Sequence, residues 1–367
     1  MFKFLNLEPE IFGIDINDSS LKIVKLKRKL RGFDLVSFNE LKIKQGVIKE
    51  GIIQDQETLA NIIKMACVTV KGKRLGTKYA IVSLPEEKSF SQLIQMPKMT
   101  GEELKSAVPF EAENYIPLAI NKAYLDFQVI NSHKENSKHL DLLINVMPKY
   151  IVDSYVLCCK KASLMPCILE TESQAIARAL LKNGNNIPSV ILIDLGYDST
   201  NFIIFSGDSI RFTCSIPISS QQLTHAISDG LGVSLHKAEA LKIKHGLNKK
   251  EKGHDDIDKA IEPILHDLAT QIKKYIDFYH GHPFHEDSLS NGKIGKIILS
   301  GGGANLKNIS DFLSKELKIA VELGNPFTNI ISPKNNNFTH KDILSFTTAL
   351  GLALRGASEQ LDNYNNT

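Results

Sequence analysis

Tryptophan is missing from this 367-residue chain, and aromatic residues of all kinds supply only 7% of it. Cysteine is scarce and unpaired. Cys67, Cys158, Cys159, Cys167 and Cys214 form no Cys-x-x-Cys, and an odd number excludes a fully paired disulfide framework. They read as packing residues of a reducing compartment. An excess of either charge is lacking too: 44 Lys plus Arg face 41 Asp plus Glu, a net +3, so the balance gives no argument for nucleic acid as a partner. No apolar run approaches the ~20 residues of a membrane span. The N-terminal MFKFLNLEPE has no signal-peptide core, so the expected location is cytoplasmic with no transmembrane segment. Two phosphate-binding signatures are also absent. G-x-x-x-x-G-K-[ST] occurs nowhere, and G-x-G-x-x-G fails after Gly301 because Leu306 stands at its third glycine. Any phosphate must be held by other means.

What is present is core-forming material, 43% hydrophobic, over a length that suits two or three domains. One pattern occurs twice. FGIDINDSSLKIV (12–24) and VILIDLGYDSTNFII (190–204) each run as an apolar strand into an aspartate, a polar turn and a second strand. Further strand-like segments follow, Phe33 to Ile43 and Ser209 to Ile218, so each half opens with an antiparallel meander. Thr58 to Cys67 has helical spacing and Tyr79 to Leu84 reads as a strand. In residues 96–130 a capping box, Thr100 with Glu103, starts a helix that Pro109 should kink, and Tyr124 to Ile130 looks like a strand. With the strand Leu140 to Val146 and the helix Ile151 to Ala162, this makes a small inserted α+β subdomain. Helices over Leu235 to His245 and Ile257 to Tyr279 flank a polar linker (248–256). KIILSGGGANLKNISDFLSKEL (296–317) reads strand, glycine turn, helix, and a last helix spans Ser345 to Arg355. The expected fold is α/β with duplicated lobes: residues 1–78, 164–188 and 335–367 in the first, 79–163 in the insert, and 189–334 in the second, with a helical part at 219–290.

A carboxylate at the end of a buried strand is costly unless a partner meets it. Turn amides around Ser19 and Ser20, and around Asp198, Ser199 and Thr200, can point at anionic oxygens as nests, and Lys22 adds a positive charge. If the halves face each other, Asp15 and Asp194 oppose across a cleft, where a hydrated Mg²⁺ would make both tolerable. The plainer alternative is that each aspartate caps its own turn. Gly301, Gly302 and Gly303 let backbone approach a ligand closely. Three other groups read as bland. His280, His282 and His285 have no cysteine to complete a zinc site, KIVKLKRKLR (22–31) reads as a solvated hairpin rather than a lipid-contacting patch, and Cys158 with Cys159 packs on its helix.

The Asp15 to Lys22 spacing, the repeated aspartate turn and the strand-GGGA turn resemble the actin-like ATPase superfamily, whose ribonuclease H-like lobes are duplicated. Within it, MPKMTGEELKSAVPFEAENYIP, LSGGGANLKNISDFLSKELKIAVELGNPF and TTALGLALRG resemble the PilM family of type IV pilus assembly proteins, over nearly the whole chain. The resemblance implies ATP and Mg²⁺ as cofactors, with Asp15 and Asp194 holding the hydrated metal, and Ser19, Ser20 and Lys22 the β and γ phosphates. Gly196, Asp198, Ser199 and Thr200 would form the opposite phosphate turn, Glu239 and Lys242 would hold adenine and ribose, and Gly301, Gly302, Gly303 and Ala304 would pass beside the nucleotide. Glu172 stands where the superfamily polarises the attacking water; a glutamate simply favoured by its helix N-terminus is the alternative. Two departures bear on binding: Asn17 replaces the usual glycine, and Asp198 puts a negative charge into a phosphate turn. The implied role is a cytoplasmic scaffold, weakly ATPase at most, at the inner-membrane platform of a pilus or related type II secretion system. Its implied partner is the cytoplasmic N-terminal peptide of PilN, and a homo-oligomer is left open. A small-molecule kinase, an FtsA-like division protein and a scaffold with a decayed nucleotide site are the alternatives. The polar tail SEQLDNYNNT argues against the second, which would need an amphipathic C-terminal helix.

Overall fold

Each aspartate-ending strand pairs back through its turn and becomes the centre of a sheet. A computed structural model of the chain describes residues 9–30, 32–130, 139–182, 187–247, 255–281, 293–331 and 340–358. In the first lobe, β1 (Phe12–Ile16), β2 (Ser20–Lys29) and β3 (Gly32–Lys42) form the meander, and α1 (Gln56–Val68) follows, its first turn capped by Asp55 accepting from the Thr58 amide at 3.0 Å. Next, β4 (Tyr79–Leu84) lies parallel to β1. The insert contributes β5 (Phe90–Pro97), α2 (Gly101–Ala112), β6 (Ala123–Ile130) and β7 (His139–Pro148), with β7 between the other two strands of an antiparallel sheet. The chain returns through α3 (Lys149–Lys161), β8 (Met165–Thr171), parallel to β4, and α4 (Glu172–Leu180).

The second lobe repeats the plan. The meander β9 (Ile187–Leu195), β10 (Thr200–Gly207) and β11 (Ser209–Ile216) leads into helices α5 (Ser220–Leu231), α6 (Leu235–His245) and α7 (Asp255–His280). Then β12 (Lys296–Ser300), α8 (Ile309–Leu317) and β13 (Val321–Leu323) follow, β12 lying parallel to β9. The strand orders β3-β2-β1-β4-β8 and β11-β10-β9-β12-β13 are equivalent, which is the duplication expected from the sequence. Last come α9 (His340–Ser345) and α10 (Thr347–Ser358). α10 is wedged between the first sheet and α4: a Cβ on Gly351 would stand 1.9 Å from the Ala175 carbonyl, and one on Gly13 2.7 Å from the Ala353 nitrogen. The close approach requires glycine at both positions.

Two sequence expectations are corrected by tertiary placement. Tyr79–Leu84 belongs to the first sheet, and α3 buries Ile151, Tyr155, Cys158 and Cys159 in the first-lobe core, so the insert is confined to Phe90–Pro148 instead of 79–163. Periodicity identifies an element, whereas the sheet a strand joins depends on distant residues. The capping box of α2 is formed, yet the helix continues through Pro109 to Ala112. The basic run 22–31 is solvated only from Lys27; Lys25 is buried and pairs with Glu10 at 2.5 Å. His282, His285 and most of the 248–256 linker lie outside the described residues. One face of the insert is bound to the other lobe: Leu93, Ile130 and Leu143 share a core with Val190, Leu192, Ile203 and Ile298 of the second sheet and Ile176 and Leu180 of α4. The insert is thus covalently part of the first lobe and packed against the second.

Candidate functional site

The two aspartates end equivalent strands, and each meets a serine from the parallel neighbour. Ser83 Oγ on β4 donates to Asp15 Oδ1 at 3.1 Å, and Ser300 Oγ on β12 donates to Asp194 Oδ1 at 2.7 Å. The sequence reading missed both serines. Their signal is the repeated form of the strands that carry them, apolar runs closing on serine in YAIVSL and KIILS. Ser83 also accepts the Ile16 amide at 2.9 Å, tying the aspartate turn to the neighbouring strand.

The carboxyls converge. Asp15 is driven up by burial first and drawn back by Lys22, whose Nζ lies 4.0 Å from Asp15 Oδ2. Burial, with Asp15 adding to it, pushes Asp194 up to about 6. Glu172, first residue of α4, rises well above the usual carboxyl range through burial, Asp15, Asp194 and Glu86. Asn201 Nδ2 donates to Glu172 Oε2 at 2.6 Å. Lys22 pairs with Asp15 across β1 and β2, and Asn201 pairs with Asp194 across β9 and β10, so Asn201 is the second lobe's counterpart of Lys22. It is a further residue the sequence reading passed over.

The expected phosphate turns differ. In the first, Asn17 Oδ1 accepts from the Ser19 amide (3.3 Å) and hydroxyl (3.2 Å) and from the Ser20 amide (2.9 Å) and hydroxyl (3.1 Å). Lys22 Nζ donates to Ser20 Oγ at 2.7 Å. In the second, the Gly196 amide bonds the Ser199 carbonyl at 2.9 Å, and a Cβ there would stand 2.6 Å from that oxygen. Thr200 Oγ1 donates to the Ile218 carbonyl at 2.6 Å, so this hydroxyl fixes the turn to the start of the helical part. Asp198 is raised to about 6 by burial and by Asp18, which itself accepts the Glu50 and Gly51 amides. Acids from both turns are therefore close enough for one to raise the pKa of the other.

The glycine turn and the α6 pair each have a packing role. Cβ atoms on Gly301, at φ +83°, and on Gly303 would strike Leu195 at 2.5 Å and 2.6 Å, so these glycines are required by packing on the strand that carries Asp194. Ala304 is buried in the second-lobe core. Gly302 is exposed, and a Cβ there would meet only the Ser345 Cβ, at 3.9 Å. Lys242 is buried and fully engaged. Its Nζ meets Glu239 Oε2 at 2.8 Å and donates to Ser220 O (2.9 Å), Ser220 Oγ (2.8 Å) and Thr224 Oγ1 (2.7 Å), pinning α6 to α5. Burial lowers its pKa against the pull of Glu239. Glu239 keeps a partly exposed carboxyl.

The donor set fits a hydrated cation. Asp15 and Asp194 carry pKa values raised first by burial, and the buried Asn201 Oδ1 has no hydrogen-bond partner. Among the described residues no group of three or more His, Cys, Asp or Glu stands ready to ligate a metal directly.

A family profile described as type IV pilus assembly protein PilM matches residues 13–357. Among solved structures, the PilM-PilN type IV pilus biogenesis complex is similar at TM-score 0.80, covering 95% of this chain and 99% of that one at 24% identity. MreB5 of Spiroplasma citri bound to ADP is similar at TM-score 0.57, covering 98% and 99% at 11% identity. These likenesses show an actin-like fold. Cell division protein FtsA of Buchnera aphidicola subsp. Baizongia pistaciae is 26% identical over 205 residues, 50% of this chain and 48% of the relative. The chain spans about half the length of the first such curated relatives.

Proposed function

The chain belongs to the PilM family of type IV pilus assembly proteins, and from that premise we propose a nucleotide-dependent scaffold that binds ATP with hydrated magnesium between its lobes and the cytoplasmic N-terminal peptide of PilN beside its insert. The observation that carries the nucleotide half is the convergence of Asp15, Asp194 and Glu172 from two lobes, Asp15 raising the pKa of both others and Asp194 that of Glu172. Bound magnesium would supply the countercharge these carboxyls lack and shield a triphosphate from them. Lys22 would add positive charge on the first-lobe side, and Glu172, with its raised pKa, would suit a slow proton-accepting role toward water.

The PilN half is supported by the similarity to a PilM-PilN complex. An exposed Phe110 on α2, beside Met99 and Ala107, offers the insert an apolar contact surface. Coupling follows from the architecture. Because the insert is joined to the first lobe and packed on the second, a ligand that favours lobe closure shifts the surface the insert presents. Among the described residues no helix is long and apolar enough to cross a membrane, so attachment to the inner membrane would run through partner proteins.

Calorimetry tests both halves. Magnesium-dependent heat with ATP is expected for the wild type and lost in Asp194→Ala; equal, negligible heats from both would show that the wild-type chain itself binds no nucleotide. A synthetic PilN N-terminal peptide is expected to bind, with an affinity that changes when ATP is present. No binding under either condition would remove the partner half.

A further inference from the structure

Two residues beyond its aspartate, the first turn holds Asn17 and the second Gly196. Four donors of the first turn, the amides and hydroxyls of Ser19 and Ser20, converge on the single oxygen Asn17 Oδ1 within 2.9 to 3.3 Å. A carbonyl oxygen has two lone pairs, and such a concentration of donors is the setting of an anion. Lys22, tied to Ser20 Oγ at 2.7 Å, adds a cation to the same pocket. In the second turn, among the described residues, no backbone carbonyl accepts the Asp198 or Ser199 amide.

We propose that Asn17 is a built-in occupant of the first phosphate turn, holding with its amide oxygen the donors that a nucleotide phosphate oxygen would take. The inference rests on the nucleotide reading above and adds what restrains it: phosphate enters only when the Asn17 side chain leaves. The geometry permits that exit. Asn17 is half-buried, so the side chain can swing outward without repacking the core. The turn itself is closed by backbone, the Asn17 amide bonding the Ser20 carbonyl at 3.0 Å, and survives the loss of the side chain. Asn17 is also not among the residues at positive φ, so no conformational demand separates asparagine from glycine or alanine there.

Occupant and mere turn-stabiliser differ in the sign of one effect. Removing an occupant weakens the ligand-free protein and strengthens ligand binding; removing a stabiliser weakens both. Asn17→Gly is therefore expected to melt lower than wild type without ligand and to bind ATP with magnesium about tenfold more tightly by calorimetry. Asn17→Ala, which keeps a Cβ, should move in the same directions and serves if the glycine variant folds poorly. Asn17→Asp should bind ATP more weakly than wild type, since its carboxylate holds the four donors as a charge. Binding by Asn17→Gly or Asn17→Ala where the wild type shows none also supports the occupant. If the wild type binds and neither variant binds more tightly, the occupant is overturned and the nucleotide reading stands. If neither the wild type nor any variant binds, both fall.

Discussion

In the first lobe the aspartate turn returns along a strand bearing Lys22 beside Asp15, whereas at the same register position of the second lobe Asn201 stands beside Asp194. Otherwise the two corners are alike: buried strand, turn, and a serine donated by the parallel neighbour. The first corner therefore carries its own countercharge and, through Asn17, its own oxygen for the turn amides. The second carries a carboxyl raised to about 6, turn amides with no backbone acceptor among the described residues and an orphaned carbonyl oxygen on Asn201. Duplication has left one half internally satisfied and the other dependent on something added from outside. On the proposed nucleotide reading, an asymmetric cleft of this kind would direct a cation toward Asp194 and make the Asp15 side the one that must open.

Replacing each aspartate breaks the comparison with the largest effect. Asp194→Ala should lower affinity for ATP with magnesium by roughly a hundredfold or more, while the ligand-free protein melts higher, because a strained buried carboxyl is gone. Asp15→Ala should also bind poorly, but its ligand-free stability should fall by about 3 kcal/mol, since Lys22 then stays buried without its nearest buried carboxylate. Thermal denaturation of the two variants reads the contrast. Shifts of the same sign would mean that the two corners are electrostatically equivalent after all.

Titration sharpens the same point. The Asp194 carboxyl ionises near 3.8 when unfolded and near 6 when folded. Between those values the folded chain holds the proton that the unfolded chain has released, so ligand-free stability falls as pH rises from about 4 to about 6. The shift corresponds to about 3 kcal/mol, and Asp194→Ala should make that part of the profile shallower, leaving the contributions of Asp15, Glu172 and Asp198, whose carboxyls are raised as well. Magnesium-dependent binding should strengthen over the same interval, because the ionised carboxyl is the form that holds the cation. Denaturation midpoints across that range, with and without magnesium and ATP, measure both trends.

What could be read from the chain was what neighbours in sequence determine. Strand, aspartate, turn and strand are local, set by alternation and turn residues, and both corners were legible down to Asp15 and Asp194. Ser83 and Ser300 were not, because parallel pairing brings them from 68 and 106 positions away. For the same reason the strand Tyr79–Leu84 was recognised but assigned to the insert. Glycines at 301 and 303 signalled tightness correctly, yet what crowds them is Leu195. The E-x-x-K pair of α6 is formed, but the lysine's hydrogen bonds go to α5, whose approach no pattern in α6 could announce. Asn17 was noticed as a departure; only geometry showed its oxygen gathering the turn.

The serines test the comparison with the smallest effect. Ser300→Ala removes one hydrogen bond to Asp194 and should cost about 1 kcal/mol, while raising the pKa of that carboxyl further and moving the pH dependence of magnesium binding upward. Ser83 has a second duty, accepting the Ile16 amide, so Ser83→Ala strands a buried backbone donor as well and should cost about 2 kcal/mol. Its effect on the pH profile of binding should be the lesser of the two, because Lys22 remains beside Asp15. Chemical denaturation gives the first ordering and binding measured against pH gives the second. A Ser83 variant that shifted the profile more than the Ser300 variant would show that Lys22 does not shield Asp15.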